Sequence, residues 1–541
     1  MEAGWFYSPE QIRKYLTSRA SSLKPPETSF KNPISILCEL NRRQWLMFLV
    51  GYLAWVSDGF DFYSVSLSAT EIADDFGVSN REVSWGMTTP LMLRAVGAVI
   101  SGICSDHYGR KWPIIINLVL FAVVEVGTGF CENMGQFTIA RALFGLSIGG
   151  LLGSSVSAAV EDLPYDSRGL MAGLFQQGHA LGHALAAALY RVFVPDNARG
   201  WRNMFWFGAV LPILVMLLRW YLPETHHFQA TKAEREARAT AACSDEEGGE
   251  GQKPTLRSFT NDAYSSFKKN WVLIAYMALF MTGFNFCSHG SQDLYPTFLK
   301  DQLGESPNST TMTTVVGQMG SITGGTIMGY LSTLFGRRLT MLIGCLLGGA
   351  MIPSYSFPHP QSLAASSFIE QFFIGGAWGP TLIHLLELSP QAIRGLMVGL
   401  TYQLGNLASS GAVMIELALG DQLPPTSLPD GEGHDYGRPM AIFMAVTWTI
   451  MFIIIYLGPE MTQEEREKLA AALKELFLLI EGEGMNPAQA GEARARIEPE
   501  QGNKGRAPQD GDTTEQDDPA GPSSAGVAKQ PSVGVDAVSP P

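Results

Sequence analysis

A repeat threaded through a succession of apolar runs constrains this chain more than any other feature. Twelve stretches are long and apolar enough to cross roughly 30 Å of hydrocarbon. They cover residues 45–68, 84–104, 112–131, 136–160, 169–191, 203–222, 271–297, 311–333, 339–356, 363–388, 395–418 and 439–457. Glu161, Pro164, Arg168, Gly169, Leu170, Met171 and Gly173 recur at one constant offset as Glu387, Pro390, Arg394, Gly395, Leu396, Met397 and Gly399. Gly149-Gly150 and Gly375-Gly376, Gln177 and Gln403, and Trp45 and Trp271 keep that offset. Gly102, Gly109 and Arg110 keep it within one residue of Gly329, Gly336 and Arg337. Two homologous six-helix halves follow, which makes the chain an all-α membrane protein. Parallel repeats of this kind place a binding site near the midplane, between the halves.

Composition agrees: 46% of residues are hydrophobic and only 16% charged, as in a polytopic membrane protein. The formal charge of −14 comes in large part from acids around Asp245-Glu246-Glu247 and from the C-terminal tail. These read as solvating segments, and no nucleic-acid partner is expected. The six cysteines lack CxxC spacing and the nine histidines lack HExxH spacing, so neither a disulfide framework nor a metal site is predicted. Glu2, Glu10, Arg13 and Lys14 precede any apolar run, so the first span is expected to act as the targeting signal. The predicted organisation is a cytosolic tail (1–44), a six-helix half (45–222), a cytosolic central loop (223–270), a second half (271–457) and a cytosolic tail (458–541). Lys31, Arg42 and Arg43, with Lys253, Arg257, Lys268 and Lys269, set that orientation by the positive-inside rule. Asn308 then stands in an outward N-x-[ST] acceptor triplet. The central loop is expected to be disordered or only locally ordered. In the tail, a capping box at Thr462–Glu465 opens a helix with Leu469, Leu473, Leu476, Phe477 and Ile480 on one side, and disorder follows. That helix fits either the inner leaflet or the cytosolic ends of the bundle.

Polar residues inside the apolar runs mark the chemistry. In the seventh, Asn285, Ser288, His289, Gln292 and Asp293 fall within about 140° of one helix face. An ionisable residue at that depth costs at least about 2.5 kcal/mol, so this face must line protein or water. It predicts an ion or substrate path, with a buried structural ion pair as the alternative. Asp58 and Asp61, beside Trp55, Phe60, Phe62 and Tyr63, read either as a proton site or as acids wetted at the outer end of the first span. Gln403 and Asn406 share a face of the eleventh and offer amide donors to a carboxylate or hydroxyl, or else bond helix to helix. Arg94 in the second fits a functional or a structural role. Gly145-Leu146-Ser147-Ile148-Gly149 matches the nucleophile pattern G-x-S-x-G, but its glycines continue at intervals of four to Gly153, which predicts close helix packing rather than a strand-to-helix elbow.

Asn285, Ser288, His289, Ser291, Gln292, Asp293 and Thr297 meet every fixed position of N-x-x-[ST]-H-x-[ST]-Q-D-x-x-x-T. This pattern resembles the signature of the fungal lactate/pyruvate permease family, proton-coupled carboxylate transporters of the major facilitator superfamily. The resemblance runs from roughly Trp45 to Glu460. Gly102, Asp106, Gly109 and Arg110 resemble the superfamily's gating loop, whose second copy here carries Thr333 in place of Asp106. Pro223-Glu224-Thr225 and Pro459-Glu460 resemble the motifs that close each half. Arg141 resembles the arginine of span four beside the proton and substrate route, with structural pairing to Glu125 or another acid as the alternative, and Tyr402-Gln403 to Asn406 resemble span eleven of the permeases. His179 and His183 stand where the family is expected to carry aromatic residues.

The resemblance implies twelve transmembrane helices, alternating access, and proton-driven import of lactate, pyruvate or a similar short acid such as acetate or propionate across the plasma membrane. The substrate would be held by Asn285, Ser288, His289, Gln292, Gln403, Asn406 and Arg141, and the proton carried by Asp293 or by Asp58 and Asp61. No cofactor is implied beyond the coupling proton. Partners are the acid, the proton, the bilayer and regulators that bind the cytosolic tails. Open alternatives are a dicarboxylate symporter of the same fold, a sugar or sialic-acid symporter, and a nutrient sensor signalling through its tail.

Overall fold

The computed structural model describes residues 9–27, 30–194, 200–244, 256–390, 393–423, 426–428, 431–433 and 435–504. All twelve predicted stretches fall on helix. The first half is built from Arg42–Leu67, Asn80–Tyr108, Lys111–Thr128, Met134–Gly149 with Leu151–Val160, Tyr165–Gln176 with Gly178–Phe193, and Gly200–Gly208 with Val210–Tyr221. The second is built from Trp271–Gln292, Pro307–Phe335, Arg337–Ser356, Leu363–Trp378 with Thr381–Leu388, Arg394–Ser409 with Ala412–Gly420, and Gly437–Leu457. Numbered as spans one to twelve, they pack alike in both halves. Span one packs on five, two on four and three on six, just as seven packs on eleven, eight on ten and nine on twelve. The halves meet where span two packs on eleven and span five on eight.

Polarity follows from this placement. By length and apolar composition, seven described helices could cross a membrane alone: spans two, three, four, six, seven, nine and twelve. Spans one, five, eight, ten and eleven fall outside that set, and many of their polar groups are buried, Asp58, Gln177, Gln318, Glu370 and Gln403 among them, so these need not meet lipid. Spans three and twelve instead expose Ile116, Val123, Ile450 and Ile453 to the surroundings. At the contact between halves the helices come close enough to require glycine. A Cβ on Gly153 would lie 2.4 Å from the Gly395 carbonyl oxygen, and one on Gly173 would lie 2.6 Å from that of Gly325.

The extramembrane segments are more ordered than the sequence predicts. The expected central loop carries helices His226–Ser244 and Leu256–Lys269. Asp162 holds the start of the first, accepting hydrogen bonds from the backbone N–H groups of His226 and His227, both at 2.9 Å. The acidic run at Asp245 lies outside the described residues. In the C-terminal tail the capping box forms as expected and opens Gln463–Phe477, but a second helix, Pro487–Lys504, follows where disorder was expected. Leu476 and Ala490 are buried with Ala230 of the central segment, so the amphipathic helix packs on protein. The N-terminal segment reaches the second half, where Arg19 donates to the Gly458 carbonyl at 2.9 Å and Arg338 to the Ser22 hydroxyl at 2.8 Å. The described residues also include one departure from helix, a pair of antiparallel three-residue strands, Thr426–Leu428 and Gly431–Gly433.

Candidate functional site

Between the halves lies a cavity of about 70 Å³, lined from spans one, two and five on one side and seven, eight, ten and eleven on the other. At roughly 10–15 Å³ for each water-sized position, it has room for a molecule of a few non-hydrogen atoms. Span seven presents the predicted face: Asn285, Ser288, His289 and Gln292 all line the cavity. Successive positions three and four apart on a helix lie on one side, and that spacing brings the four together. His289 Nδ1 is 2.9 Å from Asp293 Oδ2, so Asp293 touches the imidazole while remaining outside the lining itself. Trp378 donates its indole N–H to the Ser288 hydroxyl at 2.6 Å. Asn406 lines the cavity too, and its amide donates to Gln403 Oε1 at 2.8 Å. Gln403 is fully buried behind it and is not among the lining residues, so it orients Asn406 instead of facing the cavity.

The arginine at the cavity wall is Arg94, not Arg141. Arg94 makes a two-pronged pair with Asp58, at 2.6 and 3.1 Å, with both side chains buried. Arg141 sits behind span one. Its Nη1 lies 2.7 and 2.9 Å from the two Asp61 oxygens, its Nη2 lies 4.0 Å from Glu125, and the rings of Phe144 and Phe205 lie 4.5 and 5.2 Å away. Of the two expectations for Arg141, substrate contact and pairing with Glu125 or another acid, the structure shows the pairing, and Arg141 is not among the residues that line the cavity. Asp58 and Asp61 are not wetted acids at a helix end: both are buried, and the helix points each at a different guanidinium. Sequence reasoning also missed Glu416 of span eleven. Its carboxylate is buried without a hydrogen-bond partner among the described residues, and one oxygen lies 3.1 Å from where a Cβ of Gly290 would stand. A lone acid in a strongly apolar segment was the available signal.

Two contacts join the halves through side chains. At the end where span two finishes, Asp106 accepts hydrogen bonds from the backbone N–H groups of Gly395 and Leu396, at 3.1 and 2.8 Å, where span eleven begins. Arg110 holds Asp106 at 2.6 Å and Glu161 at 3.0 Å. Gly102 lets the two spans meet, since a Cβ there would lie 2.7 Å from Leu396 Cα, and Gly109 turns the chain at φ +115°. In the second copy Arg337 pairs with Glu387 at 3.0 Å, and Thr333 stands where the first copy has its acid. Toward the other end, Tyr63 donates to Gln292 Oε1 at 2.7 Å, joining span one to span seven, and Gln292 donates to Gln371 at 2.8 Å. Gly145 and Gly149 pack against the backbone of Pro90 and Arg94, and Ser147 bonds its own helix, which leaves no nucleophile elbow. Among the described residues no cluster of three metal-ligating side chains occurs and no cysteine is paired. Asn308 is exposed in the first turn of span eight, where its amide oxygen accepts from Arg191.

Residues 42–471 match the sugar (and other) transporter family. The chain is 34% identical over 459 residues to a carboxylic acid transporter protein homolog of Saccharomyces cerevisiae, covering 84% of this chain and 74% of that one. It is 24% identical over 366 residues to a cis,cis-muconate transport protein of Acinetobacter baylyi, covering 68% and 85%. Its fold matches the major facilitator superfamily proton:xylose symporter XylE bound to 6-bromo-6-deoxy-D-glucose, with a TM-score of 0.62 at 19% identity over 79% of this chain and 99% of that one. The likeness to the yeast protein bears out the resemblance read from span seven. The chain belongs to the sugar (and other) transporter family of the major facilitator superfamily, and it is a membrane transporter, not an enzyme.

Proposed function

We propose that this transporter carries short carboxylates, lactate and pyruvate among them, into the cell across the plasma membrane together with protons. The observation that carries the reading is the placement of His289, with Asp293 on its Nδ1, in a cavity between the halves whose facing wall holds Arg94. An imidazole and the side-chain amides of Asn285, Gln292 and Asn406 line one small cavity, and such donors suit a carboxylate, which accepts hydrogen bonds and donates none. The names of the yeast and Acinetobacter relatives, both transporters of acids, support the same class.

Coupling follows from electrostatics. A short carboxylic acid with a pKa near 4 is almost wholly anionic at neutral pH. An inside-negative potential opposes entry of that anion by about 2.3 kcal/mol per 100 mV, and one proton carried with each anion cancels the penalty. In this reading His289, Asn285, Ser288, Gln292 and Asn406 hold the carboxylate, and Asp293 exchanges the proton beside it. Arg94 and Arg141 keep Asp58 and Asp61 paired, so these acids shape the field of the pocket and are a secondary route for the proton. Alternating access releases the Asp106 contact at the cytosolic end while the Tyr63–Gln292 contact holds the other, and then the reverse. The tails lie in the cytosol, where regulators reach them.

The test is uptake of labelled lactate, pyruvate and succinate at two external pH values, in cells deleted for their own carriers. Uptake that rises as external pH falls is expected. A cellular response without accumulation of label would identify a sensor, and accumulation blocked by glucose alone would identify a sugar carrier.

A further inference from the structure

Span eleven carries a buried acid that the reading above leaves without a task. In its last turns, Ala412–Gly420, Glu416 is the single polar side chain in an apolar sequence. Met414, Ile415 and Leu417 beside it are exposed to the surroundings, whereas Glu416 is fully buried. It faces span seven: one carboxyl oxygen lies 3.1 Å from where a Cβ of Gly290 would stand, so the lack of a side chain there makes the room the carboxyl occupies. Neither oxygen has a hydrogen-bond partner among the described residues. An unpaired carboxylate is costly at this depth, so the group is held here with its proton on. Span seven makes Asp293 its neighbour. At about 100° per residue, Asp293 falls between His289 and Gly290 around the helix, roughly 40° from the first and 60° from the second. His289 lines the cavity, Asp293 meets its Nδ1 from outside the lining, and the Asp293 charge reaches the Glu416 carboxyl. Span twelve brings Phe443 against Gly290, and the charges at its start, Asp435 and Arg438, pair with each other at 3.1 Å. From span nine, the Tyr355 phenol donates to the Ser291 carbonyl at 2.6 Å. Glu416 lies roughly 30 Å of helix beyond Leu396, and so toward the end of the bundle opposite the Asp106 contact.

We propose that Glu416 is the group through which the external proton enters, so that it reaches Asp293 from behind the substrate cavity and not through it. The inference rests on the proton-coupled reading and adds to it a proton route separate from that of the acid. In the step, the Glu416 O–H bond breaks and the proton bonds to an Asp293 carboxylate oxygen, directly or across one water. Glu416 keeps the electron pair as a carboxylate and regains a proton from the external solution before the next cycle. The proton then sits on the group that touches the imidazole of the substrate site, which ties its passage to that of the acid. Two separate routes let substrate fill the small cavity without blocking the proton.

The experiment measures labelled lactate uptake over a range of external pH, and exchange of labelled for unlabelled lactate at equal pH, in carrier-deleted cells with surface abundance recorded. It compares wild type, Glu416→Gln and Glu416→Asp. Wild-type uptake is expected to rise as external pH falls. Glu416→Gln keeps size and hydrogen bonding but has no proton to pass on. Its acid stimulation of uptake, taken as the ratio of rates at low and high external pH, should shrink about tenfold or more, with exchange within about twofold of wild type. Glu416→Asp restores a carboxyl and should recover part of the acid stimulation. Glu416→Leu replaces the glutamine variant if that fails to reach the surface. A variant without the carboxyl that responds to external pH as wild type does, or that loses exchange together with acid stimulation, overturns the inference and leaves proton coupling standing. Wild-type uptake indifferent to external pH overturns both.

Discussion

At the residue scale, span seven assigns two jobs to adjacent groups. Asp293→Asn keeps size and hydrogen bonding but removes titration, so concentrative uptake should fail while exchange of internal for external acid survives. Unchanged proton-driven accumulation would remove Asp293 from coupling. His289→Ala should weaken binding by about 1.5–3 kcal/mol, the contribution of a charge-assisted hydrogen bond, or roughly 10- to 100-fold in affinity. An unaltered KM would remove the imidazole from the site. The two arginines provide a matched contrast. Arg94→Lys loses the fork on Asp58 at the cavity wall and should raise KM, whereas Arg141→Lys acts behind span one and should lower thermal stability with KM near wild type. Equal effects on KM would deny that only Arg94 faces substrate. The span-seven face was legible because a 3.6-residue period fixes which side chains share a side. The choice between Arg94 and Arg141 was not: it depends on how span one is rotated so that Asp58 and Asp61 point at different helices.

At the scale of elements, the apolar runs located every span, because a helix needs about 20 apolar residues to cross the hydrocarbon. The helices of the central segment were missed because their stability is tertiary: Asp162 receives the first turn of His226–Ser244, and Ala230 is covered by Leu476 and Ala490. That docking carries a pH dependence. Burial, and then the charge of Arg43, push the His226 imidazole down to about 4, and burial pushes that of His227 down to about 3. Both folded-state values lie below the ordinary 6.5, so protons bind the unfolded state first. The contribution is whole above pH 6.5 and is lost as pH falls from 6.5 toward 4. Melting temperature should therefore drop between pH 7.5 and 5, and less in a His226→Gln, His227→Gln double variant. An identical drop in the variant would place the pH sensitivity elsewhere. Truncation after Lys504 should leave transport intact, whereas truncation after Gly458 removes Leu476 and the Arg466–Glu460 pair at 2.7 Å and should lower stability or activity. Full activity of the shorter chain would make the cytosolic helices dispensable.

At the scale of the whole molecule, the repeat produces two halves of like packing but unequal closure. Asp106 binds the start of span eleven with a full charge, while its counterpart Thr333 brings only a hydroxyl to Arg337. The central claim is that this machine uses a proton gradient to move an acid. Purified protein in liposomes, with the membrane potential clamped at zero, should concentrate labelled lactate when the outside is made acidic, and a protonophore should abolish that accumulation. Accumulation that persists undiminished with the protonophore present would contradict the account.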